Sequence, residues 1–286
     1  MLAIRTRRLR RKITRWAIVY TGLAFFLITM LFPFYWMVIT SIKPDAELYS
    51  KAQSPFIVHK PTLQHYVYLF QKTPFLVWLR NSVIVAVTST AVSLAAGTMA
   101  AYALARLRFR GAQPLGIGIF VTYLVPTTLL FLPLAYVIRS LGLYDKPIAL
   151  ILTYPTFLIP FCTWLLMGYF KGIPKELEEC ATVDGATRFQ AFVKIVLPIS
   201  LPGLVSAGLF AFTLSWNEFV YALTLVQSNS VKTIPVGVVS QLVLADVYFW
   251  GSLMASALLG SVPIALLYSF FLEYYVKGMT AGAVKG

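Results

Sequence analysis

Acidic side chains are scarce in this 286-residue chain: ten Asp and Glu stand against 24 Lys and Arg, and charged residues of both signs make up only 12% of it. An ordinary soluble domain is roughly 25% charged and about 45–50% apolar. Here 59% of residues are hydrophobic and mean hydropathy is +0.77, so a water-soluble globule is not what this composition builds. With two His (His59, His65) and two Cys (Cys162, Cys180), neither a metal cluster nor a disulfide framework is expected. The sequence also lacks any G-x-x-x-x-G-K-[ST] phosphate loop, so it cannot hold ATP by that device. The basic excess could suggest nucleic acid, but its position argues otherwise. Seven cations (Arg5, Arg7, Arg8, Arg10, Arg11, Lys12, Arg15) precede the first apolar block, and most others flank later ones, which is the membrane-topology bias. No nucleic-acid partner is expected.

What the chain does have is six long apolar blocks: Ala17 to Thr40, Ser82 to Leu104, Leu115 to Ile138, Ile148 to Phe170, Ile199 to Val226 and Leu253 to Val276. Each is long enough to cross about 30 Å of hydrocarbon at roughly 20 residues per span. The expected fold class is an all-α membrane protein with six transmembrane helices and a cytoplasmic helix between the fourth and fifth. The first block carries twelve Leu, Ile, Val or Phe. At about −0.4 kcal/mol each this gives roughly −5 kcal/mol of insertion preference. It lacks the short core and small-x-small site of a cleaved signal, so it is expected to stay in the membrane. With the N-terminus cytoplasmic, sixteen Lys and Arg fall on the cytoplasmic side and eight outside. The organisation expected is a basic cytoplasmic N-terminus 1–16, a first span 17–40, an outer loop 41–81, a core 82–276 containing the loop 171–198, and a cytoplasmic tail 277–286.

Within the spans, Ser93, Gly97, Ala101 and Ala105 recur every four residues, which puts small side chains on one helix face for close packing. Pro126 and Pro133 each remove a backbone donor, so the third span is expected to bend or open, and opened backbone at membrane depth belongs beside protein or a watery cavity.

The loop Lys171 to Pro198 is unlike a simple connector and reads as helix, turn, helix. Pro174 suits a first helical position, and Glu176, Glu178 and Glu179 place negative charge at the positive end of a dipole. Gly185 after Asp184 suits the left-handed residue that ends a helix. A second helix starts at Thr187, with Gln190 completing a capping box, and runs toward the membrane through Phe192 and Ile195. Pro198 and Pro202 are expected to bend it there.

This loop resembles that of the inner-membrane permease subunits of binding-protein-dependent ATP-binding-cassette importers. Their signature is Glu-Ala-Ala, three residues, Gly, nine residues, Ile, one residue, Leu-Pro. The chain has Glu179-Cys180-Ala181, Gly185, Ile195 and Leu197-Pro198 at those spacings, with Cys180 the one departure. By that resemblance Glu179, Cys180, Ala181, Asp184, Gly185, Ala186, Phe192, Leu197 and Pro198 make the coupling element that sits in a cleft of the ATPase subunit. Ser215-Trp216-Asn217-Glu218-Phe219, the stretch Leu104 to Gly111 and the C-terminal Lys277 to Gly286 are similar to the carbohydrate branch, of the maltose-transporter type.

The resemblance implies a transport subunit and no enzyme, sited in a bacterial or archaeal cytoplasmic membrane with both termini inside. Its implied partners are a second permease subunit, two ATP-binding-cassette ATPase subunits, an extracytoplasmic sugar-binding protein and membrane lipid. No cofactor is implied for this chain; ATP-Mg belongs to the ATPase subunits. The tail would reach toward the ATPase pair. Candidate pathway or gate residues are Pro126, Trp216, Asn217, Glu218 and Phe219. Two uses stay open for Glu218: accepting hydrogen bonds from sugar hydroxyls beside the face of Trp216 or Phe219, or fixing the helix or an outer gate. An ion-coupled secondary transporter is the alternative reading; it usually needs an ionisable relay in the spans, and Glu218 is the one clear acid there. A scaffold protein is a further one.

Overall fold

A computed structural model describes residues 2–107 and 109–281, with side chains for 12–107 and 109–274. Arg108, the side chains of the basic residues Arg5 to Arg11 and those of the tail Lys277 to Gly286 lie outside the described set. In chain order the helices are α1 (Leu2–Ile42), α2 (Asp45–Leu48), α3 (Gln64–Lys72), α4 (Phe75–Arg106), α5 (Ala112–Leu124), α6 (Phe131–Ser140), α7 (Pro147–Thr153) and α8 (Pro155–Lys171). They continue with α9 (Glu176–Val183), α10 (Arg188–Ala191), α11 (Leu197–Ile199), α12 (Leu201–Trp216), α13 (Val220–Leu225), α14 (Ile234–Leu242) and α15 (Trp250–Ala281). A two-stranded antiparallel hairpin, β1 (Val243–Leu244) and β2 (Val247–Tyr248), precedes α15.

Among the described residues four stretches are long and apolar enough to span a bilayer: Lys12–Ile42, Phe75–Arg106, Pro147–Lys171 and Trp250–Tyr274. The pair Arg188–Ile199 and Leu201–Trp216, bent by 76°, makes a fifth when taken as one broken span. The bend is where Pro198 and Pro202 were expected to put it. Two of the six apolar blocks are not single helices: the third opens at Pro126, as its prolines led one to expect, and the fifth breaks where no break was expected. The third block is two shorter helices, α5 and α6, parted at Val125 and Pro126 and joined by a 3-10 turn at Thr127–Leu129. The fifth is broken between Trp216 and Val220, where α12 ends and α13 begins.

The chain divides into two compact units, each described by itself. One holds α1 to α3 with Leu242–Leu259. In it Lys43, almost fully buried, donates from Nζ to the carbonyls of Ser54 (2.9 Å) and Pro55 (3.1 Å). The Glu47 carboxylate meets the His59 N–H and ring Nδ1, both at 2.9 Å, and the Lys60 N–H at 3.5 Å. Burial disfavours the Glu47 charge, but those donors outweigh it and hold the carboxyl below its ordinary range.

The other unit is Thr73–Gln241 with the rest of α15. Its centre is the packing of α4 on α8, and the small-residue stripe explains it. Ser93 and Ala101 are fully buried and Gly97 lies so close to α8 that a Cβ on it would sit 2.6 Å from Cys162 Cβ. Glycine is required there by approach, because a real Cβ would push two backbones apart. Gly97→Ala is expected to destabilise the subunit by about 1–3 kcal/mol, the usual cost of overpacking. Thermal unfolding in detergent measures it; Cys162→Gly, which removes the opposing Cβ, should restore part of the loss. A melting temperature unchanged by Gly97→Ala would contradict this packing.

Candidate coupling site and pathway

The segment from Lys171 to Pro198 is built by local chemistry. Helix α9 starts at Glu176 with Lys175 as its cap, two residues later than Pro174 suggests, and Glu176, Glu178 and Glu179 occupy its first turn. Its end is closed by two bonds, Ala186 N–H to the Ala181 carbonyl (2.9 Å) and Gly185 N–H to the Thr182 carbonyl (3.1 Å). This is the Schellman arrangement, which needs a left-handed residue. Gly185 supplies it, at φ +90°. The next helix opens at once: Gln190 N–H donates to Thr187 Oγ1 (3.2 Å) and Thr187 N–H to Gln190 Oε1 (2.8 Å), the full capping box. A turn closed on one side and capped on the other has little freedom.

The signature residues divide into two groups around this turn. Glu179, Cys180, Asp184, Gly185 and Pro198 are exposed; Ala181 and Phe192 are buried; Ala186 and Leu197 lie between. Phe192 packs its ring 4.4 Å from that of Tyr102 in α4. It serves the framework under the turn. Apolar side chains are exposed around the turn as well: Val183, 87% exposed, and Phe189, 71% exposed, with Leu177 and Val193 also exposed. Apolar side chains so exposed on a polar loop fit a surface that another protein covers. Sequence reading passed over Val183 and Phe189 because neither belongs to the signature.

Under α9 lies a cleft of about 570 Å³ lined in part by Tyr102, Arg106, Lys175, Glu178, Thr182 and Arg188. On its floor Arg106 Nε meets Glu178 Oε1 at 2.9 Å and Tyr102 donates to Glu178 Oε2 at 2.9 Å. These partners are more than seventy residues from Glu178 in sequence, and only the fold brings them together.

The candidate pathway residues do not line one face. Trp216, almost fully buried, stacks on Phe212 and donates from Nε1 to the Gly260 carbonyl (3.2 Å). One face of its ring is thus occupied by Phe212. Asn217 ends α12 and donates to the Thr213 carbonyl (3.0 Å). The expectation that Glu218 sits on a continuous helix is incorrect: its carboxylate caps the next one. Oε1 accepts from Tyr221 N–H (2.8 Å), while Oε2 accepts from Ala222 N–H (3.0 Å) and Tyr154 O–H (3.1 Å). An anion at a helix N-terminus satisfies donors that have no partner within the helix. Phe219 is half-buried against the core. Tyr221 O–H then donates to the Thr127 carbonyl (3.0 Å), so the break beside Pro126 and the break at Glu218 are tied together. Among the described residues no three His, Cys, Asp or Glu are grouped as a metal site requires.

A second tie lies at Asp145, whose φ is +57°. Its Oδ1 accepts from Gln227 N–H (2.8 Å) and Ser228 N–H (2.9 Å), and its Oδ2 accepts from the Ser228 hydroxyl. Burial opposes the charge, but the Ser228 and Gln227 donors and nearby Lys232 prevail and keep this carboxyl below its ordinary range. A depressed pKa contributes stability above the unfolded value and loses it as pH falls through the folded one. Acid below about pH 4 is therefore expected to loosen this loop pair. Hydrogen exchange at Gln227 and Ser228 should accelerate there in the native protein, and Asp145→Ala should show the fast rate already at neutral pH.

Residues 93–281 match the family described as "Binding-protein-dependent transport system inner membrane component". The chain is 38% identical to the "Inner membrane ABC transporter permease protein YcjP" of Escherichia coli (strain K12), over 93% of this chain and 95% of that protein. It is 32% identical to the "Trehalose/maltose transport system permease protein MalG" of Thermococcus litoralis, over 97% of this chain and 100% of that protein. Among solved structures, a bacterial ABC transporter "involved in the import of the acidic polysaccharide alginate" superposes with a TM-score of 0.76 at 21% identity. That alignment covers 90% of this chain and 95% of its counterpart, and it shows the shared fold.

Proposed function

Because the chain belongs to the binding-protein-dependent transport system inner membrane components, and is thus a permease subunit of an ATP-driven importer, we propose that it forms half of a path for a sugar or oligosaccharide. The solute class rests on relatives such as the trehalose/maltose permease and on the Ser215 to Phe219 and C-terminal stretches. An extracytoplasmic binding protein delivers the solute, a second permease subunit completes the path, and two ATPase subunits carrying ATP-Mg drive alternating access.

In this reading there are six spans, the third made of α5 with α6 and the fifth of α12 with α13, and both termini are cytoplasmic. The loop 171–198 faces the cytoplasm and presents α9, Gly185 and α10 to an ATPase cleft. The observation that carries it is the doubly capped turn bearing exposed Val183 and Phe189 beside Glu179, Cys180 and Asp184. Glu178, by contrast, is engaged with this chain's own Arg106. The breaks at Pro126 and at Asn217 to Phe219 form the gate region, where Glu218 acts as a structural cap.

Uptake into vesicles tests this. The complete complex with a sugar-binding protein should import only with ATP, and the isolated chain should neither hydrolyse ATP nor transport. Uptake by the isolated chain driven by an ion gradient would overturn the reading.

A further inference from the structure

Helix α9 is joined by chain to α8 and, through the Gly185 turn, to α10 and α12. It has no direct chain connection to α4, yet α4 holds it more tightly than a passing contact would. Both oxygens of Glu178 are approached from α4: Oε1 forms an ion pair with Arg106, 2.9 Å from its Nε but without a hydrogen bond, and Oε2 accepts from the Tyr102 hydroxyl (2.9 Å). The same guanidinium donates from Nη2 to the carbonyl of Ile173 (2.7 Å), in the link between α8 and α9. The Tyr102 ring lies 4.4 Å from that of Phe192 and edge-on to Phe170 at 6.3 Å. One turn of α4 therefore grips the end of α8, the start of α9 and the segment after α10.

The Arg106 side chain is 4% exposed and that of Glu178 15%. An ion pair so enclosed costs desolvation that a pair of apolar residues would avoid, so stability alone gives it little reason to exist. It ties the two helices together, however: a carboxylate held by the Arg106 charge on one oxygen and by the Tyr102 hydroxyl bond on the other follows them when they move. The opposite end of α4 is gripped as well. Asn81 Nδ2 donates to the carbonyls of Ser230 (2.9 Å) and Lys232 (3.0 Å), Trp78 Nε1 to that of Asn229 (3.1 Å), and Ser82 Oγ accepts from Ile234 N–H (2.8 Å). The helix between has 32 residues, about 48 Å at 1.5 Å per residue, with no proline inside it.

We propose that α4 is the rod that carries motion of α9 across the membrane to the loop 229–234, and that Tyr102, Arg106 and Glu178 are the positioning residues of the joint at its cytoplasmic end. This rests on reading 171–198 as the loop that docks on the ATPase. Movement of α9 pulls Glu178, Glu178 pulls Tyr102 and Arg106, and the far end of α4 shifts the loop that Asn81 and Trp78 hold. In the reverse direction, a binding protein engaging the outer side reports to the ATPase through the same joint.

The test uses the reconstituted four-part complex with its binding protein, and reads solute imported per ATP hydrolysed, normalised to assembled complex. Arg106→Ala is expected to lower that ratio at least tenfold and to leave hydrolysis that no longer rises when the binding protein is added. Arg106→Lys, which keeps the charge of the ion pair, should recover a large share of both. Tyr102→Phe keeps the ring packing and loses only the hydroxyl, so it covers the case in which Arg106→Ala fails to assemble; a severalfold lower ratio is expected. A merely structural joint would change the amount of complex and leave the ratio alone, and an unchanged ratio in Tyr102→Phe and Arg106→Lys alike overturns the proposal. Cross-linking of Cys180 to the ATPase runs in parallel. Normal cross-linking with an unchanged ratio removes the joint and keeps the docking loop, whereas absent cross-linking in the wild type removes the docking loop itself.

Discussion

Gly185→Val is expected to lower coupled uptake at least tenfold while the subunit still inserts and assembles. At φ +90° the residue occupies backbone space that costs an L-residue about 1–2 kcal/mol, more for a β-branched one. Beyond Gly185 and its two chain neighbours nothing lies within 4 Å of where a Cβ would stand, so the penalty is conformational and not a clash with another part of the fold. Relief comes only by turning the backbone out of the left-handed region. That breaks the two bonds that close α9 and swings the Thr187 cap, so α9 and α10 no longer keep their relative placement. Because 1.4 kcal/mol is a factor of ten in population, the docking geometry should fall at least tenfold. Uptake and binding-protein-stimulated ATPase in the reconstituted complex measure it. Gly185→Asn, which tolerates this conformation, should retain most activity. Full stimulated transport by Gly185→Val would refute the account of the turn.

The second large effect is at Glu218. Alanine there strands three donors, the N–H groups of Tyr221 and Ala222 and the hydroxyl of Tyr154. Each buried donor left unsatisfied costs about 1–3 kcal/mol, which sums to a sizeable part of the roughly 5–15 kcal/mol that holds a protein folded. Glu218→Ala should therefore melt many degrees lower and fail to support uptake. Glu218→Gln keeps one acceptor oxygen and can donate to the Tyr154 oxygen, leaving about one N–H unpaired. It should retain ATP-dependent uptake at a reduced rate. A proton relay predicts the reverse pattern, with complete loss in Glu218→Gln at normal stability.

The Gly185 turn is legible in the sequence because its determinants are local: a glycine after an acidic helix end, then Thr and Gln three apart. The opening at Pro126 is legible for a similar reason, since proline removes a donor wherever it stands. The break at Asn217 to Phe219 is hidden by composition. The block from Ile199 to Val226 is predominantly apolar on both sides of Asn217 and Glu218, and hydropathy does not distinguish one helix from two that meet at a carboxylate. The available clue was an acid just before Val220, where a new helix would want one. Trp216 stayed open in the sequence because an aromatic beside a polar group can face a solute or its own bundle, and its bond to the Gly260 carbonyl comes from a residue 44 positions away. The joint of Tyr102, Arg106 and Glu178 leaves no local trace, because its halves are brought together by the packing of Gly97 on Cys162.

The central claim is that the turn after α9 lies on an ATPase subunit at the cytoplasmic face. Cys180 is exposed on that helix and Cys162 is buried, so thiol chemistry reports on the first. The measurement is cross-linking in intact membranes between Cys180 and a cysteine placed in the cleft of the ATPase subunit, with membrane-impermeant labelling from outside as its companion. The account predicts a cross-linked permease–ATPase product, lost in Cys180→Ala, and no labelling from outside. Labelling of Cys180 by the external reagent, with no cross-link to the ATPase, would contradict it.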